Sequence, residues 1–239
     1  MKKILLILIA IVPFNILRIF LYRNFFSYKI SYDSKIGLFN YLNFSSCQID
    51  GAKIGNFNFF NIHHFALGKK SEVRIFNRFN GFNKAVISCE AVIGRGNEFI
   101  GTANSFSPFK ELENIYIGDR SLILKNNIID LSDTLNIGND VVIGGSHSQF
   151  WTHGFDHKRT KIQGPINISN NVYIGSKSII LANVNIIKDV VVGAGTIVSK
   201  NISEKGLYTS SSLELKKNDI SIKNENIITS NGYSFFRKK

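Results

Sequence analysis

Apolar residues in this chain recur every six positions, an interval that neither a continuous helix nor a long strand produces. Ile168, Ile174, Ile180, Ile186, Val192 and Val198 follow one another without a miss. Shorter runs precede them at Ile117, Ile123, Ile129 and Leu135, at Ile87, Ile93 and Phe99, and at Ile30, Ile36 and Leu42. A helix repeats near 3.6 residues and a strand at 2. Six residues suit a short strand followed by a tight turn. Glycine often follows the apolar position, as at Gly118, Gly138, Gly175 and Gly193, and turn-forming Asp or Asn comes next at Asp119 and Asn139. Such units stack into a parallel β-helix in which each coil buries its apolar residues against the next. With three units to a coil of about 18 residues, Ile30 to Lys200 holds roughly nine coils. The fold class is all-β.

Two stretches depart from the rhythm. Residues 63–86 are rich in basic and aromatic side chains and are expected to form an irregular or widened coil. Residues 150–164 keep no six-residue series, which predicts a loop leaving the helix there. The domain therefore spans 30–202. Residues 203–239, beyond the period, are expected to form a polar tail or a cap over the last coil.

Residues 1–29 differ in character. They hold Lys2, Lys3, Arg18, Arg23 and Lys29, and the first carboxylate is Asp33. Ile4 to Val12 is wholly apolar but far short of the about 20 residues that span a bilayer. Beyond Pro13, Phe14, Leu17, Leu21 and Phe25 recur at helical spacing. The pattern predicts an amphipathic helix in the membrane interface, with Arg18 and Arg23 reaching lipid phosphates and a chain that still folds without residues 1–26. A spanning helix over 4–26, a secretory signal and a plain buried helix are the competing readings; no small-x-small cleavage site follows Ala10. The expected location is cytoplasmic, peripheral on the inner face of the cell membrane.

Composition sets further bounds. The 239 residues are 44% hydrophobic and 19% charged, against wholesale disorder. Cys47 and Cys89 form no CxxC pair and build no disulfide framework. A net charge of +12 calls for an anionic partner. No nucleic-acid-binding motif accompanies it, and nucleic acid is not an expected partner.

The closing coils carry a resemblance. Gly-Pro-Ile-Asn-Ile-Ser-Asn-Asn-Val-Tyr-Ile-Gly-Ser (164–176), Ile-Ile-Leu-Ala-Asn-Val-Asn-Ile (179–186) and Val-Val-Gly-Ala-Gly-Thr-Ile-Val-Ser-Lys (191–200) are similar to the last coils of hexapeptide-repeat O-acetyltransferases. The resemblance covers 115–202 well and 30–114 loosely. It implies a left-handed parallel β-helix, a homotrimer and acetyl-CoA as donor; the handedness runs against the usual crossover rule and comes from the resemblance alone. Ala182-Asn183 stands where the family commonly has Pro-Gly. The string Ser-Gln-Phe-Trp-Thr-His-Gly-Phe-Asp-His (148–157) resembles the motif of capsule and lipopolysaccharide acetyltransferases, implying a protruding active-site loop and, as acceptor, a sugar hydroxyl on a bacterial surface polysaccharide or its precursor.

Acyl transfer to an alcohol needs a base, and imidazole titrates near neutral pH. His153, at the motif's catalytic position, is the expected base, with His157 a substrate contact or alternative base. His147 reads as a turn residue, and His63 and His64 as supports of a local turn. Either Asp130 or Asp133 could accept the imidazole's second N–H, or both could cap turns. Asn127 resembles the asparagine that assists the oxyanion in some relatives. Trp151 bears on the sugar or on CoA, or packs under the loop. By resemblance, backbone around Ser178 and Ala194 meets the pantetheine arm, and Ser199 and Lys200 meet the adenosine phosphate, where an ammonium suits an anion. The pair His153 and His157 has no evident third ligand, so no metal is expected. The competing reading is a non-catalytic β-helix scaffold that binds anionic polysaccharide or lipid.

Overall fold

The computed structural model describes residues 2–102 and 108–209, together with the backbone of three short strands at 214–217, 227–230 and 233–236. The chain winds into a left-handed parallel β-helix of about nine turns. Each coil contributes one strand to each of three faces, and the first coil shows the plan: Lys29–Ile30, Lys35–Ile36 and Tyr41–Asn43. Inward residues pair in register from coil to coil. Ile30 opposes Ile49 on the first face, Ile174 opposes Val192 on the second and Ile180 opposes Val198 on the third. All six are buried, so the six-residue period is the imprint of one continuous apolar core. In the N-terminal half that core is aromatic, with Phe60 over Phe79 at 4.6 Å and Phe79 over Phe99 at 4.2 Å.

Of the two expectations for residues 63–86, an irregular or a widened coil, the structure shows the second. These residues form ordinary strands at His64–Leu67, Glu72–Val73, Arg78–Asn80 and Lys84–Ile87. Leu67 pairs with Ile87, twenty residues on, where the C-terminal coils advance by eighteen. The added residues sit at the corner between the third face and the first, where Ile62 and Phe82 turn inward and are buried. A longer corner blurs the sequence period without disturbing the stacking. The excursion that sequence periodicity does not reveal lies at 101–113, between Glu98–Ile100 and Asn114–Ile117. Phe99 and Ile117 are eighteen residues apart, three whole units, so the inserted segment returns the chain in frame.

The corner between the second and third faces holds a buried polar spine. Asn40, Asn58, Asn77, Asn97 and Asn127 stack there, one per coil, and Ser148, Ser178 and Thr196 continue the column. Each asparagine oxygen accepts the backbone N–H of the residue above it, as Asn77 Oδ1 does from Asn97 at 3.0 Å and Asn97 Oδ1 from Asn127 at 3.0 Å. The amide nitrogen then donates to a corner carbonyl, Asn77 to Gly94 at 2.7 Å and Asn97 to Leu124 at 3.0 Å. Tight corners leave backbone groups without ladder partners, and this column supplies them. At the same corner the ideal Cβ of Gly94 would lie 1.8 Å from the carbonyl oxygen of Leu124, so glycine alone fits the approach of the coils there.

Two helices, α1 (Lys2–Ala10) and α2 (Asn15–Phe26), close the N-terminal end. Leu6, Ile9, Ile19 and Tyr22 join the core. Arg18 is buried rather than turned to lipid. Its guanidinium donates to the carbonyls of Val12 and Ile36, clamping the inter-helix turn to the first coil. Arg23 donates to the Ile30 carbonyl at 2.5 Å and lies over the Tyr32 ring. Among the described residues no helix is long and apolar enough to cross a membrane. At the other end Gly206–Thr209 pairs in parallel with Val190–Val192, and Glu214–Lys217 pairs antiparallel with it, covering the edge of the second face.

The spine is expected to matter more than its exposed counterpart on the first face, where Asn136, Asn167 and Asn185 also bond in series. Asn97→Ala leaves buried groups unpaired and should cost about 2–3 kcal/mol in urea unfolding, whereas Asn167→Ala should cost less than about 1 kcal/mol. Equal losses would mean that the corner column is not what holds the coils together.

Candidate active site

A hairpin leaves the coil after Gln149–Phe150 and returns at Ile166–Ile168. Its strands, His153–Phe155 and Lys161–Gln163, pair antiparallel with His153 opposite Gln163. Asp156 forms the turn: its Oδ1 accepts the N–H groups of Lys158 and Thr160, each at 2.8 Å. The Thr160 bond first, and the Lys158 bond with it, holds the Asp156 carboxyl below its ordinary range. The carboxylate therefore stays ionised and the turn braced through that range, and the bracing is lost as pH falls below it. At the base, Gly164 N–H donates to the Thr152 carbonyl.

His153 sits where the hairpin leaves the wall. Its Nδ1 lies 2.8 Å from Asp130 Oδ2 and 3.1 Å from Ser132 Oγ. Asp130, only 8% exposed, ends the strand Ile128–Asp130. Its Oδ2 also accepts the Thr152 N–H at 3.0 Å and hydroxyl at 2.8 Å, and its Oδ1 accepts the Ser132 hydroxyl at 3.0 Å. A carboxylate so placed can only accept from Nδ1, which assigns the proton to Nδ1 and leaves Nε2 with its lone pair. Two rings flank the imidazole edge-on, Phe155 at 5.5 Å and Trp151 at 6.4 Å. Trp151 Nε1 donates to Gln149 Oε1 at 2.9 Å. The result is an oriented base, partly buried, with one nitrogen available to an incoming hydroxyl.

A second chain of polar contacts ties this base to the other excursion. Lys161 Nζ donates to Thr102 Oγ1 at 3.0 Å, and Thr102 Oγ1 lies 3.2 Å from Ser132 Oγ. Lys110 reaches back to the same place, bonding the Thr102 carbonyl at 2.8 Å and the buried Glu113 carboxylate at 2.7 Å. The roots of the two excursions, at 102 and 161, therefore meet beside His153.

The remaining sequence-derived positions separate into groups. Asp133 does not meet the imidazole; its carboxylate accepts the Thr134 N–H at 2.6 Å and its own N–H donates to Thr152 Oγ1, so it closes the turn. Asn127 belongs to the buried spine, its oxygen accepting the Ser148 N–H and its amide donating to Asn97. His157 is exposed in the hairpin turn. Ser178 is buried, its hydroxyl donating to the Gly193 carbonyl at 3.1 Å. Ala194 is exposed at the next turn of that corner, and no group among the described residues engages its N–H or carbonyl. Ser199 and Lys200 are exposed on the edge that carries His153, two coils further along, about 10 Å at the strand spacing. One chain thus places Ala194 and Lys200 on different edges. Cys47 is buried, which pushes its thiol up, and neither cysteine approaches His153 in the coil order.

Sequence reading missed Phe155, Ser132, Thr152 and the Thr102–Lys161 link. Phe155 and Thr152 lie inside the quoted motif and Lys161 on the returning strand of the same hairpin, but Ser132 and Thr102 come from coils 21 and 51 residues upstream of His153 and carry no local signal.

No protein-family model matches the chain. Among curated proteins, the bifunctional protein GlmU of Wigglesworthia glossinidia brevipalpis is 38% identical over 97 residues, 41% of this chain and 19% of that protein. The match thus spans about a fifth of the curated relative's length. Among solved structures, the hexapeptide-repeat-containing acetyltransferase VCA0836 from Vibrio cholerae is 24% identical over 54% of this chain and 71% of that one, with a TM-score of 0.47. The polySia-specific acetyltransferase NeuO is 19% identical over 80% and 85%, TM-score 0.46, and the polysialic acid O-acetyltransferase OatWY 16% over 83% and 90%, TM-score 0.40.

The tautomer is directly testable. Nitrogen-15 NMR of the neutral His153 imidazole should show the proton on Nδ1 and Nε2 bare, and Asp130→Asn should mix the two forms while Asp133→Asn leaves them unchanged. A bare Nδ1 in the unaltered protein would refute the assignment.

The chain is similar to the hexapeptide-repeat acetyltransferases.

Proposed function

We propose that the protein is an acyl-CoA-dependent acyltransferase that moves an acetyl group from acetyl-CoA to a sugar hydroxyl of a bacterial surface polysaccharide or its lipid-linked precursor. The observation that carries this reading is the imidazole of His153, held through Nδ1 by buried Asp130, with no partner on Nε2 among the described residues. In the reaction, the acceptor oxygen attacks the thioester carbonyl as Nε2 takes its proton. The tetrahedral oxyanion then collapses, the C–S bond breaks, and the imidazolium returns the proton to the departing thiolate. The products are the sugar ester and free CoA. Asp130 keeps the imidazole in the productive tautomer and stabilises its transient charge. Asn127 is committed to the spine, so the oxyanion falls to a backbone N–H. Lys200 and Ser199, on the same edge as His153, suit the phosphates of the donor.

His153→Ala should lower turnover by about 10²-fold or more with CoA affinity in calorimetry nearly unchanged, because the base acts in the transition state. Asp130→Asn should lower turnover in the same direction, and His157→Ala should mainly raise the acceptor concentration required. Near-normal turnover of His153→Ala would remove the assignment; the scaffold reading predicts no turnover in any form.

We propose a homotrimer as part of the same reading. Ile197 and Tyr173 are about half exposed on outer faces that neighbouring copies would cover, and a neighbour's Ala194 edge could then complete the donor groove begun by Lys200. Light scattering that gives a monomer with transfer intact would exclude this arrangement.

The N-terminal cap suggests attachment to the cytoplasmic leaflet. Ile4, Ile7, Leu8, Ile11, Phe14 and Ile16 are each more than half exposed, and no carboxylate precedes Asp33. Because the opposite side of the same helices is core, deleting residues 1–26 would open the first coil instead of leaving a folded protein. The sharper test replaces Ile4, Leu8, Phe14 and Ile16 with serine. Sedimentation with anionic vesicles should be lost and the thermal midpoint kept; retained sedimentation would refute membrane attachment through this face.

A further inference from the structure

The corner between the second and third faces is unusual on its outer side. Fifteen described non-glycine residues have positive φ, and the turns they occupy elsewhere are filled mainly by Asn, Asp, Lys, Arg and Glu. In the first three coils this corner instead holds Phe39, Phe57 and Phe76, at φ of 57°, 59° and 59°. The same position in later coils is Gly96, Asn126, His147, Lys177 and Gly195. A bulky aromatic residue is poorly suited to this conformation. The three rings nevertheless stack on one another at 5.0 and 5.1 Å, with interplanar angles of 6° and 9°, and each stays about half exposed. They make a ridge of apolar ring edges running along the helix axis, outside the core.

Beside the ridge lies a trough of about 1000 Å³ on the second face. Glycines 37, 55 and 94 form part of its floor, and Asn56 and Ile75, the neighbours of Phe57 and Phe76, line its rim. Lys35, Lys53, Arg74, Arg95 and Lys125 project along it, against one carboxylate, Glu72. Glu72 pairs with Lys53 at 2.8 Å and with Arg74 at 3.5 Å. Lys35, Arg95 and Lys125 have no ion-pair partner among the described residues. The trough runs through six coils and ends at Gly145, one coil below Ser176.

We propose that this ridge and trough form a binding track for an anionic polysaccharide, with C–H faces of sugar rings against Phe39, Phe57 and Phe76 and acid groups along the chain on the cations of the trough. Extended shape, repeated cations one coil apart and a continuous apolar strip match a polymer that alternates apolar ring faces with negative charge. A compact anion would use one coil. A lipid surface would be met by a broad apolar face, whereas this strip is one ring wide and flanked by charge. The choice of glycan rests on the acyltransferase reading, since an acceptor polymer must be held while one of its hydroxyls reaches His153; binding itself requires no catalysis.

The experiment is calorimetry without acetyl-CoA, with polygalacturonate and polysialic acid oligomers as probes and dextran oligomers of equal length as the neutral control. At least one carboxylated polymer should bind ten-fold or more tightly than dextran and weaken as salt rises. Phe57→Asn/Phe76→Asn should lower that affinity at least ten-fold while the thermal midpoint holds or rises, because asparagine suits positive φ. Arg95→Gln/Lys125→Gln should lower it as well and flatten the salt dependence. His153→Ala should bind like the unaltered chain. Binding by an enzyme that transfers no acetyl group would keep the track and remove the proposed activity. Transfer to soluble acceptors without polymer binding would keep the activity and remove the track. The track also falls if the aromatic double variant binds normally, if it changes the mass in light scattering, which would make the ridge a subunit contact, or if it loses vesicle binding with glycan binding intact.

Discussion

Stacking in register is the constraint on which everything else in this molecule rests. A coil whose three strands each bond to the coils above and below can vary only where it leaves the stack, so inward positions are apolar throughout and corners must satisfy their own backbone. The asparagine spine meets that second demand, with one side-chain oxygen accepting from the next coil and one amide donating across the corner. Parallel pairing without such a column would leave polar groups buried and unpaired at every turn. Arg18 does the same work at the N-terminal end, where the helical cap replaces the missing coil.

Against that rigid wall, chemistry is confined to interruptions. The hairpin at 153–163 and the excursion at 101–113 leave the same edge two coils apart, on either side of the coil that supplies Asp130, and they are joined through Thr102 and Lys161. His153 therefore stands on a fixed strand, held by a carboxylate that the wall itself supplies from the preceding coil. An imidazole with this support needs little reorganisation when a proton arrives. The outward corner offers a different interruption. Phe39, Phe57 and Phe76 occupy positions that favour glycine or asparagine, so local backbone preference is set against an exposed aromatic ridge.

The six-residue period, the glycines at corners and the motif around His153 were legible in the chain because each is local: one strand, one turn, one loop. That locality was enough for the β-helix, its start near Ile30 and the protruding hairpin. It misled wherever length alone decided. The coils of 63–86 looked irregular because one corner carries extra residues, and the excursion at 101–113 was invisible because eighteen residues preserve the frame. The amphipathic pattern of 4–26 was real, but which arginine faced outward depended on a turn at Pro13 that folds two helices back on the first coil.

By itself the sequence determined the coil, since a residue every six positions must point inward and nothing distant is needed to say so. Only the tertiary structure decided which carboxylate serves the histidine. Asp130 and Asp133 are three residues apart and equally plausible on paper, yet one points from the end of a strand to Nδ1 while the other closes a turn onto Thr134. The same holds for Asn127, whose place in a column of five is set by coils up to 87 residues away. In a stacked helix, neighbours in space are a full coil apart in sequence, and a side chain's partner is fixed by register between coils, which no local pattern records.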